Sequence, residues 1–127
     1  MRTYSRNPLR LTLFSGANYT GRRIQFRHGE VAVRNLGAFQ FNNELTSFRL
    51  RNIVNPHEVT LVLFSRNNFQ GNMRVFRGNQ NIGNLANHNF NNVASSFILV
   101  RCRLSDQQIR QIQRTCTPPS DILVIKN

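Results

Sequence analysis

Residues 11–27 read LTLFSGANYTGRRIQFR, and residues 61–77 read LVLFSRNNFQGNMRVFR. At an offset of 50 the two stretches agree at Leu11/Leu61, Leu13/Leu63, Phe14/Phe64, Ser15/Ser65, Asn18/Asn68, Gly21/Gly71, Phe26/Phe76 and Arg27/Arg77. Further on, Phe41-Asn-Asn-Glu-Leu-Thr-Ser-Phe48 aligns with Phe90-Asn-Asn-Val-Ala-Ser-Ser-Phe97 at an offset of 49, so one residue has been lost between the blocks. Two blocks recurring in the same order mark a duplicated unit, and each copy of such a repeat is one supersecondary module.

Each copy reads as β structure. Leu11–Phe14 and Leu61–Phe64 are short apolar strands, while 23–27, 73–77 and 46–51 alternate polar with apolar residues, as half-buried strands do. Residues 95–101 make a more apolar closing strand. Gly- and Asn-rich turns separate these runs, and an antiparallel sandwich follows. The connection from about Asn52 to Thr60 carries Pro56 and joins the units. The tail differs: Ser105-Asp-Gln-Gln108 has the form of a capping box, with Ile109 and Ile112 at helical spacing behind it. That helix should stop before Pro118-Pro119. The apolar stretch Ile122–Ile125 reads as a further strand or as a strap across the body, and the strap is favoured because an exposed apolar strand invites association.

The 127 residues leave room for one domain. No apolar run approaches the roughly 20 residues of a transmembrane helix. The opening Met-Arg-Thr-Tyr-Ser-Arg-Asn-Pro lacks the apolar core of a secretory signal, which gives the expectation of a cytoplasmic protein. Seventeen basic residues, sixteen of them Arg, stand against five acidic ones for a net charge of +12. Such a field attracts polyanions; the same side chains also serve solubility and lay their stems over apolar surface. The carboxylates Glu30, Glu44, Glu58, Asp106 and Asp121 are scattered, which speaks against hydrolases that need two converging carboxyl groups. His28, His57 and His88 are isolated, no nucleophile–base context surrounds them, and no Gly-rich loop has the strand-to-helix setting of a phosphate cradle. The expectation is a protein that is not an enzyme.

Phe14-Ser-Gly-Ala-Asn-Tyr19-Thr-Gly21 and Phe64-Ser-Arg-Asn-Asn-Phe69-Gln-Gly71 both fit aromatic-x4-aromatic-x-Gly. Present once per unit, over residues 9–101, this pattern resembles the signature of the βγ-crystallin family. The resemblance implies an all-β sandwich of two Greek keys, about 9–51 and about 60–101. A folded hairpin opens each key, its glycine at positive φ. Residues 1–101 would form the domain and 102–127 a C-terminal appendage, a short helix and tail, packed on it.

The resemblance extends to calcium. Asn42-Asn43-Glu44-Leu45-Thr46-Ser47 and Asn91-Asn92-Val93-Ala94-Ser95-Ser96 match the family's calcium pattern. Carried over, one ion would take the carbonyls of Glu44 and Ser15, the Thr46 hydroxyl and the Asn92 side chain. The second would take the carbonyls of Val93 and Ser65, the Ser95 hydroxyl and the Asn43 side chain. Hard oxygen donors of these kinds suit calcium. Every coordinating side chain is neutral, so two ions of modest affinity are expected, on the order of 10⁻⁵ to 10⁻³ M, with Glu44 adding long-range attraction. Ser47 and Ser96 are expected to bond the hairpins with or without metal.

The function implied is a non-catalytic, calcium-binding structural protein of a stress or spore type; the oligomeric state is left open, with a monomer favoured. The alternative is a basic module that binds polyanions or a cell envelope, of a toxin-like antimicrobial kind. Arg22, Arg23, Arg27, Arg34, Arg74 and Arg77 would line one face of it, with Arg110 and Arg114 on the tail helix. Its binding would be electrostatic, because the aromatics occupy core positions. Cys102 and Cys116 flank the helix. A disulfide between them would close a loop of roughly 15 residues, worth about 3 kcal/mol, whereas reduced thiols are the default without secretion; both readings stand.

Overall fold

The computed structural model describes residues 8–27, 29–115 and 123–125. In the first half, Leu9–Gly16 (β1) and Thr20–Phe26 (β2) form a hairpin, followed by Val31–Val33 (β3) and Ser47–Asn52 (β4). The second half runs Thr60–Arg66 (β5), Gln70–Arg77 (β6), Gln80–Ile82 (β7) and Ser96–Val100 (β8). Helix α1 (Asp106–Thr115) and strand β9 (Leu123–Ile125) complete the described elements. The strands form a four-stranded sheet, β2-β1-β4-β7, and a five-stranded one, β6-β5-β8-β3-β9. Each half thus lends its third strand to the sheet of the other, and the expected all-β sandwich of two Greek keys results.

Alternation explains the core. Leu9, Leu11 and Leu13 of β1 and Phe48 and Leu50 of β4 face Leu61 and Leu63 of β5 and Phe97 and Leu99 of β8, all buried in one cluster between the sheets. The three-residue strands add Val31 and Val33, and the loops add Leu36, Phe41, Leu45, Leu85 and Phe90. A second cluster lies outside the five-stranded sheet, where Val62, Phe64, Ile98 and Val100 meet Leu104, Ile109 and Ile112.

The two opening hairpins are folded alike. Phe14 and Tyr19 meet edge to face at 5.7 Å, and Phe64 and Phe69 at 5.8 Å. Gly21 (φ +80°) and Gly71 (φ +85°) sit where a Cβ would strike the Ser15 and Ser65 hydroxyls, so only glycine fits. Tyr19 and Phe69 also take positive φ, +63° and +62°, which for bulky residues costs about 1–3 kcal/mol each. Hydroxyls from the closing strands hold them there. Ser47 Oγ donates to Gly16 O (2.6 Å) and accepts from Tyr19 N (3.0 Å). Ser96 Oγ donates to Arg66 O (2.6 Å) and accepts from Phe69 N (3.1 Å). The role expected of these serines is the one they play.

Helix α1 starts on the expected capping box. Gln108 N donates to Ser105 Oγ (3.1 Å), and Ser105 N donates to Gln108 Oε1 (2.8 Å). Ile109 and Ile112 seal its inner face. The chain leading to it is fastened by Thr60 Oγ1, which donates to Cys102 O (2.7 Å) and accepts from Leu104 N (3.1 Å). The favoured strap does not hold for the end of the chain. Leu123–Ile125 is a strand, parallel to β3 in the register Val31↔Leu123 to Val33↔Ile125. Edge strand β3 has unpaired backbone groups on that side, and a hydrogen-bonded strand satisfies them where a strap would not. Cys116, Pro118, Pro119 and Ile122 lie outside the described residues, and with Cys116 the question of a Cys102–Cys116 disulfide. Among the described residues, no helix is long and apolar enough to cross a membrane.

Candidate metal centre

Both Asn-Asn motifs follow a short 3-10 helix, Leu36–Phe39 in the first half and Leu85–His88 in the second. Each helix is capped by an asparagine, Asn35 Oδ1 accepting from Gly37 N (2.8 Å) and Asn84 Oδ1 from Ala86 N (2.9 Å). Each ends on a left-handed residue, Gln40 or Asn89, which reverses the chain toward the motif. The second motif asparagine is left-handed as well, φ +57° at both Asn43 and Asn92, a conformation Asn tolerates better than most residues.

Main-chain bonds then lace the two motifs side by side. Asn43 N donates to Ala94 O (3.1 Å) and Asn92 N to Leu45 O (3.0 Å). Leu36 N donates to Ser95 O and Leu85 N to Thr46 O, both at 2.7 Å, so each helix start anchors the opposite half's hydroxyl residue. Thr46 N reaches Phe14 O (2.9 Å) and Ser95 N reaches Phe64 O (2.8 Å), which brings Ser15 and Ser65 beside the same motifs.

The side chains cross between halves. Thr46 Oγ1 donates to Asn92 Oδ1 at 3.1 Å, and Ser95 Oγ donates to Asn43 Oδ1 at 3.2 Å. Thr46 and Ser95 are themselves buried. Two oxygens each roughly 2.4 Å from one calcium ion, subtending about 80°, would stand about 3.1 Å apart, so the observed pairs are compatible with a shared ion. The Ser15 and Ser65 hydroxyls are engaged by Arg22 N and Asn72 N, both at 2.8 Å, and their carbonyls are the groups expected as donors. Val93 is half-buried and rests on the core. Beside Asn92, the Asn91 side-chain oxygen is buried without a hydrogen-bond partner, a costly state for a polar group.

Glu44 does not supply the long-range attraction expected of it. Its Oε1 lies 2.6 Å from Arg22 Nη2, and a guanidinium at that distance cancels its charge toward any third ion. The same Arg22 donates to Gln40 O (2.5 Å) and covers the Phe41 ring at 5.2 Å. In the second half Arg74 does the equivalent work from another strand position, donating to His88 O (2.8 Å) and covering Phe90 at 4.9 Å.

The arginines expected to share one face are therefore dispersed. Arg22 and Arg74 lie over the motif phenylalanines, Arg34 covers Phe69 at 5.1 Å, and Arg77 pairs with Asp106 at 2.7 Å. The concentrated basic surface involves arginines that the sequence did not single out, Arg10, Arg49 and Arg51, joined by Arg27. Alternation in 46–51 was the signal that could have exposed Arg49 and Arg51. Among the described residues, no three His, Cys, Asp or Glu side chains gather into a metal-holding group, so the candidate centre consists of neutral oxygens. Cys102 is exposed at the helix approach; partial burial, then the carboxylates of Glu30 and Glu58, raise its thiol above the ordinary value and disfavour the thiolate.

No family model matches the chain and no curated protein does. Solved structures do match. A structure bearing on the evolution of the eye-lens βγ-crystallin domain fold superposes with a TM-score of 0.63 at 18% identity, over 80% of this chain and 93% of that one. A βγ-crystallin domain from Clostridium beijerinckii gives 0.57 at 17% identity, over 72% and 98%. A βγ-crystallin from Ciona intestinalis gives 0.55 at 18% identity, over 69% and 95%. The chain has the βγ-crystallin domain fold.

Proposed function

We propose that the chain is a non-catalytic structural module in which two calcium ions tie the paired Greek keys together. The observation that carries this reading is the reciprocal crossing of oxygens, Asn92 to Thr46 and Asn43 to Ser95, at 3.1 and 3.2 Å. One ion takes the Thr46 hydroxyl, the Asn92 side chain and the carbonyls of Glu44 and Ser15. The other takes the Ser95 hydroxyl, the Asn43 side chain and the carbonyls of Val93 and Ser65. Water completes each shell toward the 6–8 oxygens calcium prefers, and such water also offers the buried Asn91 oxygen the partner it lacks. Each ion would draw donors from both halves, so its loading stabilises their association, by about 2.7 kcal/mol at a hundredfold excess over the dissociation constant. That suits a protein whose firmness matters in a stressed or dormant cell.

Affinity is modest. The donors carry no charge, Arg22 neutralises Glu44, and the net +12 repels cations. Calorimetric titration of calcium into chelator-treated protein should give a dissociation constant on the order of 10⁻⁵ to 10⁻³ M, with a rise in melting temperature. Asn43→Asp keeps an oxygen and a residue type that accepts positive φ, and it should tighten one site about tenfold through its charge. No heat and no thermal shift at several millimolar calcium, in both wild type and Asn43→Asp, would overturn the reading.

A further inference from the structure

The two motifs are approached by arginines whose charges are answered differently. In the first half Arg22 lies 5.2 Å over the Phe41 ring, donates to Gln40 O and pairs with the Glu44 carboxylate. In the second half Arg74 lies 4.9 Å over the matching Phe90 and donates to His88 O and Met73 O, both at 2.8 Å. These partners are a ring and two main-chain oxygens, none of them charged. Glu44 aligns with Val93, so the carboxylate that answers Arg22 has no counterpart for Arg74. The first half also shows how far such a guanidinium reaches, from the motif phenylalanine to the side chain three residues on.

The other arginines beside the motifs balance. Arg49 covers Tyr19 at 4.3 Å as Arg34 covers Phe69 at 5.1 Å. Arg23 stands opposite Phe14 where Met73 stands opposite Phe64, and Arg66 follows Ser65 where Gly16 follows Ser15, so each half carries one further exposed arginine. A single charge is left over. The Glu44 carbonyl lies in a chain segment overlooked by a neutral ion pair, and the Val93 carbonyl in one overlooked by an uncompensated guanidinium. His88, at the place of Phe39, adds to that positive charge whenever it is protonated.

We propose that this one charge ranks the two calcium sites: the ion taken by Glu44, Ser15, Thr46 and Asn92 loads first, and Arg74 holds back the ion taken by Val93, Ser65, Ser95 and Asn43. The ranking rests on the calcium reading given above and adds an order to it. A unit positive charge roughly 8 Å from a divalent ion weakens its binding about fivefold in water. Arg74 acts through its charge across that distance, so any side chain of the same charge does the same. Over a window of calcium concentration the protein therefore carries one ion. Because that ion draws on both halves, it already ties them before the second arrives.

The test follows backbone amide shifts of the full chain while calcium is titrated in about 10 mM salt, where screening is weak. The amides of Leu45 and Gly16 are bonded to the carbonyls of Glu44 and Ser15 and report the first ion; those of Ala94 and Arg66 report the second. The first pair should reach half-shift at about fivefold less calcium than the second. R74Q should lower the midpoint of the second pair about fivefold and leave the first, while E44Q should raise the midpoint of the first by about the same factor. R74K keeps the charge and should match the wild type. In about 1 M salt the gap between the pairs should close. Melting temperatures near that of the wild type show that the variants remain folded. The proposal fails if the wild-type midpoints coincide, if R74Q leaves the second midpoint in place, or if R74K shifts it as R74Q does, which would make the contact with Phe90 responsible. If both pairs move with calcium but in step, the order alone is lost; if no amide moves at several millimolar calcium, the calcium reading falls and the order with it.

Discussion

The outer faces of the two sheets differ although their strands correspond. Where one sheet turns out Arg10, Thr12, Gln25, Arg49 and Arg51, the other has Thr60, Val62, Val75, Ile98 and Val100 at the matching places. The inward positions kept their character, Leu11 with Leu61, Leu13 with Leu63, Phe48 with Phe97 and Leu50 with Leu99. The sandwich demands apolar residues only between its layers; what lies outside was free to change. One outer face became apolar and took helix α1 as a third layer, while the other became basic and, among the described residues, took no helix.

Four substitutions probe that contrast. The largest effect should come from Ile109→Ala, which leaves a cavity between α1 and the apolar face; a loss of about 2–5 kcal/mol in denaturant unfolding is expected. If stability barely changed, the helix would be an ornament and the apolar face would need another reason. Next come Ser47→Ala and Ser96→Ala. Each removes two hydrogen bonds that hold a bulky residue at positive φ, so each should cost about 2 kcal/mol. Similar losses would show that the hairpins are held alike beneath both faces, whereas unequal ones would show that the third layer has taken over the task on its side. The smallest effect belongs to Arg51→Gln. Lowering the net charge of +12 by one should raise stability by a few tenths of a kcal/mol, and the gain should shrink in high salt. A loss would mean that the basic face contributes to the fold.

Much of this architecture is legible in the residues. The aromatic-x4-aromatic-x-Gly stretches locate the hairpins, alternation locates the long strands, and Ser105 with Gln108 marks the start of the helix. The third strands escape such reading, since Val31–Val33 and Gln80–Ile82 span three residues each, too few for a period to show. Their exchange between sheets depends on contacts far along the chain. The parallel pairing of Leu123–Ile125 is hidden for the same reason, because an open edge exists only after β3 has joined β8. At the metal centre, the expectation that Asn43 and Asn92 cross came from family resemblance; spacing alone does not place Asn43 beside Ser95. The Arg22–Glu44 pair was out of reach, because it depends on where an exposed β2 side chain lands on a loop.

The traded third strands bear on how such a chain could arise. A solitary unit would own β1, β2 and β4 but would have to give β3 away, leaving the slot beside β4 without a strand. Two solitary units could satisfy each other only as a symmetric pair with swapped strands. The connection at residues 53–59 turns that meeting of two molecules into an internal event at high effective concentration. Fusion also let each partner drift on its own, and a marriage of twins that must remain identical could not have put arginine on one back and a helix on the other.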